Sequence, residues 1–157
     1  MKISSLPNDA RSDRENRRML IRWERATANH TMEHTKARIL HVDDHQDMRL
    51  MMAALLQERG YGVLTAGSVG EALELAKEIS FDLYILDVRL PDGTGVELCQ
   101  KLHQMRPGVP ILYYSAYGDP AEVERALAIC GDAYLKKPVC IADIENMVAR
   151  LLTGTTE

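Results

Sequence analysis

The chain has 157 residues, 46% hydrophobic and 27% charged, enough for one core of ordinary size with an extension but not for two full domains. No run approaches the ~18 uninterrupted apolar residues of a membrane span. The start, Met1 to Pro7, lacks the apolar stretch of a secretory signal, so the expected location is the cytoplasm. The net charge of −4 is uneven: residues 1–36 hold eight Lys/Arg against five Asp/Glu, a balance of +3, so the remainder carries −7. An acidic domain binds phosphate backbones poorly, and no nucleic-acid partner is expected.

Residues 1–36 are polar, and Met19-Leu20-Ile21 with Trp23 is their main apolar patch. The segment reads as a basic arm, disordered or partly helical, because so little apolar surface cannot offset the cost of ordering it. Translation from Met32 is an alternative reading. His30 and His34 stand four apart without a third ligand, and chance explains them better than a metal.

From Arg38 the pattern alternates. Apolar runs at Ile39–Val42, Tyr61–Thr65, Leu83–Leu86, Ile111–Tyr114 and Ala133–Leu135 predict strands. Met48, Met51, Met52, Leu55 and Leu56 recur at helical spacing and end at Gly60, a C-cap. Ser68 and Glu71 predict a capping box opening a second helix. A third, with Leu98, Cys99, Leu102 and Met105, follows Gly95 and stops at Pro107-Gly108. A fourth carries Val123, Ala126, Leu127 and Cys130, and a fifth Ile144, Met147, Val148, Leu151 and Leu152. Five strands alternating with five helices imply right-handed crossovers and a parallel sheet covered on both faces. Only five residues follow Leu152, so no output domain is expected on this chain. Three cysteines, Cys99, Cys130 and Cys140, without Cys-x-x-Cys spacing, speak for a reducing compartment and against a disulfide framework.

Ligands of such sheets bind beyond the carboxyl ends of the strands. Strand one ends in Asp43-Asp44, strand three in Asp87, strand four in Ser115 and strand five in Lys136-Lys137-Pro138. Three carboxylates on one rim repel, and a divalent cation relieves them; all-oxygen ligation suits Mg²⁺ better than zinc. Asp44 can also cap the first helix. Lys136 reads as solvent-facing, His41 as packed within its strand, and His45 as a helix-start residue close to the acidic pair. Pro91-Asp92-Gly93 reads as an ordinary turn.

Val42-Asp43-Asp44, Leu86-Asp87-Val88-Arg89-Leu90-Pro91-Asp92-Gly93, Ser115-Ala116 and Tyr134-Leu135-Lys136-Lys137-Pro138 occur in the order of the receiver domain of two-component response regulators. The chain resembles that family over residues 37–152, in particular its stand-alone, chemotaxis-type members. The resemblance implies a flavodoxin-like, doubly wound (βα)5 sandwich with strand order 2-1-3-4-5. It implies Asp87 as the phosphoacceptor, with Ser115 and Lys137 contacting the phosphoryl oxygens. Mg²⁺ would be held directly by Asp44, Asp87 and the Arg89 backbone carbonyl, and by Asp43 through water. Ser115 and Tyr134 would form the switch, and the Lys-Pro bond is often cis in this family.

The expected function is a single-domain regulator, a signalling domain rather than an enzyme. It would take phosphate from a histidine kinase or phosphotransfer protein and signal to a protein target through the helix 4–strand 5–helix 5 face, with room for a phosphorylation-dependent homodimer. A metal-dependent phosphohydrolase with Asp87 as nucleophile is the alternative from another class, disfavoured because Arg89 stands where such enzymes place a second acid. A degenerate receiver used only for binding is disfavoured by the full set of site residues. Arg89 and Tyr117 at the pocket mouth suggest a phosphoryl group that is not especially short-lived.

Overall fold

The computed structural model describes residues 35–154. The expectations for the arm, including His30 and His34, fall outside them. Five strands, β1 (Arg38–Val42), β2 (Gly62–Ala66), β3 (Leu83–Leu86), β4 (Ile111–Ser115) and β5 (Ala133–Lys136), form one sheet. All are parallel, and their order is β2-β1-β3-β4-β5, a doubly wound, flavodoxin-like arrangement. Each observed strand lies within one residue of the apolar run that predicted it.

The helices are α1 (Gln46–Glu58), α2 (Val69–Glu78), α3 (Gly95–Met105), α4 (Pro120–Ile129) and α5 (Ile141–Thr153). Ser68 Oγ accepts the Glu71 N–H at 3.1 Å, opening α2 as predicted, but the Glu71 carboxylate reaches back to the Gly67 N–H at 2.7 Å. Reciprocal capping boxes instead open α3 (Thr94 with Glu97) and α4 (Asp119 with Glu122, Pro120 following). The N-cap of α1 is His45, without a side-chain bond, so Asp44 does not cap this helix. A two-residue-strand hairpin, Arg89–Leu90 against Gly93–Thr94, follows β3 and was not foreseen.

Ile39, Leu83, Ile85, Leu112 and Tyr114 meet Met52 and Leu56 of α1 and Ile144 and Val148 of α5 in one buried cluster. Leu40, Tyr84, Leu86, Ile111 and Tyr113, also buried, alternate with them and face the other side of the sheet. There α2 packs on α3, and α3 on α4. Two methionines of the predicted apolar stripes are surface residues: Met51 is 47% and Met105 38% exposed. The helical stripe is narrower than their spacing suggested, and each stands at its edge.

The cysteine expectation is also corrected. Cys99, fully buried on α3, and Cys130, the C-cap of α4, are joined by a disulfide with Cα atoms 6.1 Å apart; Cys140 is free. Their separation of 31 residues hides the pair in the sequence, whereas the packing of α3 beside α4 creates it.

Met52→Ala should lower unfolding free energy by about 2–5 kcal/mol, the usual range for emptying a core site. Met51→Ala should change it by less than ~0.5 kcal/mol, as surface substitutions do. Urea denaturation distinguishes the two.

Candidate functional site

The sheet ladder continues one residue past the strands and aligns the site. Asp43 N–H donates to Ala66 O (3.0 Å), Asp87 N–H to Val42 O (2.8 Å) and Lys137 N–H to Ser115 O (2.9 Å). The side chains of Asp43, Asp87, Ser115 and Lys137 therefore gather on one rim, as predicted. Asp43 and Ser115 are fully buried, and Asp87 almost so.

Ser115 Oγ donates to Asp87 Oδ1 at 2.7 Å. The Lys137 ammonium reaches Asp43 Oδ2 at 2.6 Å and Asp87 Oδ2 at 3.5 Å. Burial alone would raise the Asp43 carboxyl; the Lys137 hydrogen bond and the His45 N–H, donated to Oδ1 at 2.8 Å, instead hold it below its ordinary value. Burial would likewise lower the Lys137 ammonium, but Asp43 and Asp87 hold it above its own. The Lys137-Pro138 bond is cis. Lys136 is exposed, as expected.

Ligand atoms of Asp43, Asp44, His45 and Asp87 lie within 4.8 Å of one another. The carboxylate oxygens are the hard donors that Mg²⁺ prefers, so the residues fit that ion. His45 Nδ1 stands 2.9 Å from Asp44 and 3.1 Å from Asp43, with its side chain 69% exposed. His41 is packed, and burial pushes it down to about 4 despite the opposing charge of Asp43; Lys137 and Arg49 lower it further, so the ring is neutral.

Sequence reasoning missed three positions. Arg49 donates from Nη1 to the Asp43 carbonyl at 2.6 Å. An arginine in the first turn of a helix opposes the macrodipole, and that was the available signal. Gly95 has no such signal: a Cβ there would stand 2.2 Å from the Asp87 carbonyl, so any side chain would displace the backbone that carries Asp87. Asp92 does more than turn the chain. It accepts the N–H groups of Val69 (2.8 Å) and Gly70 (2.9 Å), tying the hairpin to the start of α2. The Gly70 N–H holds its carboxyl below the ordinary value against slight burial, and Val69 adds to that.

At the mouth, the Arg89 guanidinium lies 3.9 Å from the centre of the Tyr117 ring, so the two flanking residues stack on each other. Tyr117 N–H donates to Ser115 Oγ at 3.3 Å, and its carbonyl accepts the Tyr134 hydroxyl. Tyr134 is half-buried and packs on Gly118, where φ is +111° and a Cβ would stand 2.9 Å from the hydroxyl.

The profile of the response regulator receiver domain family matches residues 39–149. The chain is 34% identical over 118 residues to the response regulator protein PilR of Pseudomonas aeruginosa, covering 75% of this chain and 26% of that one. It is 33% identical to the alkaline phosphatase synthesis transcriptional regulatory protein PhoP of Bacillus subtilis, covering 73% and 48%. It thus spans a quarter to about half the length of these curated relatives, and some are transcriptional regulators by name, which lends no support to excluding nucleic acid as a partner. Among solved structures, a CheY-like receiver domain protein from Methanospirillum hungatei is similar, with a TM-score of 0.72, 32% identity and coverage of 75% and 94%. Chemotaxis protein CheY4 of Vibrio cholerae gives 0.70, 31%, 74% and 98%. No helix among the described residues is long and apolar enough to cross a membrane.

The Asp43–Lys137 pair should shape the stability–pH curve at both ends. The Asp43 contribution is complete above its unfolded value of 3.8 and is lost as pH falls through its depressed folded value. The Lys137 contribution is complete below 10.5 and is lost as pH rises through its elevated folded value. Asp43→Asn should flatten the acid limb of thermal stability measured from pH 2 upward; an unchanged limb contradicts the pairing.

Proposed function

The chain belongs to the response regulator receiver domain family, and from that premise we propose that Asp87 accepts a phosphoryl group from a histidine kinase or phosphotransfer protein. One observation carries the assignment. Ser115 and Lys137, from separate strands, aim a hydroxyl and an ammonium at the two oxygens of Asp87. Asp87 attacks phosphorus with a carboxylate oxygen, forming an aspartyl phosphate as the bond to the leaving group breaks. Ser115 and Lys137 turn their donors from the carboxylate to the phosphoryl oxygens, placed there in advance. Asp44, Asp87 and the Arg89 carbonyl would hold Mg²⁺ directly, and Asp43 through water. When bound, the ion supplies charge neutralisation between phosphoryl oxygens and carboxylates.

Signalling needs a bistable element beside the site. The proposed one is Tyr134 with the loop it holds: Ser115 drawn toward a phosphoryl oxygen releases the Tyr117 N–H, and Tyr117 carries the carbonyl that Tyr134 binds. The α4–β5–α5 face then reports the change to a protein target. The phosphohydrolase reading is weaker, because the residue two after Asp87 is an arginine stacked on Tyr117 and supplies no acid.

Acetyl phosphate with Mg²⁺ should add one hydroxylamine-labile phosphoryl group, seen by intact mass. Asp87→Asn should abolish it; undiminished labelling of that variant overturns the assignment.

Ser115→Ala should still take label, more slowly, but lose most of the surface response. NMR of apo and beryllofluoride-loaded protein, following Tyr134 and the α4 amides, reads this directly. Shifts confined to the Asp87 pocket in the wild type would show that the signal leaves by another face.

A further inference from the structure

α4 is the least anchored helix of the described fold. Of its ten residues only Ala126 is buried, whereas α3 buries Gly95, Leu98, Cys99 and Leu102. Ile129, its last residue, is 58% exposed. A helix with so little buried apolar surface opens at low cost. Its C-terminal end is nevertheless held at two points. Cys130 is bonded to Cys99 of α3, and the Cys130 carbonyl accepts the Tyr113 hydroxyl at 2.9 Å. The Tyr113 ring packs against Tyr134 at a tilt of 41°, with centroids 5.7 Å apart. The disulfide is therefore the covalent anchor of a helix that little else holds, and Cys130 connects to Tyr134 through Tyr113.

We propose that Cys99 and Cys130 form a thiol–disulfide exchange site whose redox state sets how firmly α4 is held to the fold. The two sulfurs differ in access: Cys99 is fully buried and Cys130 half-buried, so Cys130 is the one a low-molecular-weight thiol attacks. The incoming thiolate forms a bond to Cys130 Sγ as the Cys99–Cys130 bond breaks. The electron pair goes to Cys99 Sγ, which takes up a proton. A second thiolate attacks the small-molecule sulfur of the mixed disulfide, releasing Cys130 as a thiol and a small-molecule disulfide. In sum the protein disulfide and two thiols give the protein dithiol and one disulfide, a two-electron exchange. The reverse direction oxidises Cys130 first, and Cys99, already within bridging distance, resolves it. The effect on output rests on the α4–β5–α5 reading above; the exchange site and its hold on α4 do not.

The test uses the full chain equilibrated in mixtures of reduced and oxidised glutathione, then acid-quenched and alkylated for intact-mass analysis. Cys99 and Cys130 should become alkylated together in one two-electron transition, while Cys140 is alkylated throughout. Hydrogen exchange of peptides covering residues 119–131 should be faster in the reduced form by roughly tenfold or more, because a link closing a 31-residue separation opposes opening of α4. Cys130→Ser should exchange like the reduced wild type and ignore the glutathione ratio. A pair that stays bonded or stays reduced across all mixtures, a Cys140 partner in place of either cysteine, or equal α4 exchange in the two forms each overturns the proposal. All of this is read without a phosphoryl donor. Failure here thus leaves the Asp87 assignment standing, and failure of acetyl phosphate labelling leaves this one.

Discussion

The rim of the sheet depends on one cation. A parallel arrangement brings the carboxyl ends of β1 and β3 side by side, and this sequence ends both in aspartates that are almost wholly removed from water. Buried like charges at that spacing oppose folding unless an opposite charge is supplied. Lys137 supplies it from the far end of β5, reaching across β4 and β3 to Asp43 on β1. Arg49 and the His45 N–H add donors from the start of α1, so the acidic corner is held from both sides. The Lys137 ammonium and Arg49 guanidinium together still do not balance three carboxylates, and that imbalance is the physical case for a divalent cation there.

The same rim grades from rigid to loose. Asp43, Asp87 and Ser115 are themselves buried at the ends of β1, β3 and β4, and Gly95 packs against the Asp87 backbone too closely for any side chain. On the other side, contacts run through single groups: Ser115 to the Tyr117 N–H, Tyr117 to Tyr134, Tyr134 to Tyr113, Tyr113 to the Cys130 carbonyl. Interiors packed on all sides deform little, whereas a helix resting on few contacts has alternative positions within a few kcal/mol. A site that holds its chemistry still beside a helix free to respond suits signalling better than turnover. The disulfide ties the loose helix to the buried one, joining Cys130 at the end of α4 to Cys99 on α3.

The strands, the helices and the rim residues were legible in the sequence because their signals are local. A buried strand is an apolar run, a helix is an apolar stripe, and Asp43, Asp87, Ser115 and Lys137 each stand at a run's end. The parallel topology then gathers them whatever the details between. The capping boxes at Thr94 and Asp119 are equally local signals, although sequence reasoning named only Ser68.

What only the tertiary structure decided are relations between distant segments. Met51 and Met105 carry the right spacing, but both stand exposed once the helices pack. Asp92 looks like a turn residue until α2 presents its first N–H groups to it. Gly95 is unremarkable until the Asp87 carbonyl lies where its side chain would be. Cys99 and Cys130 read as separate core thiols, because pairing depends on the distance between two helices and not on any spacing within them. Composition and periodicity report how each residue meets water, and they carry no information about which residue it meets instead.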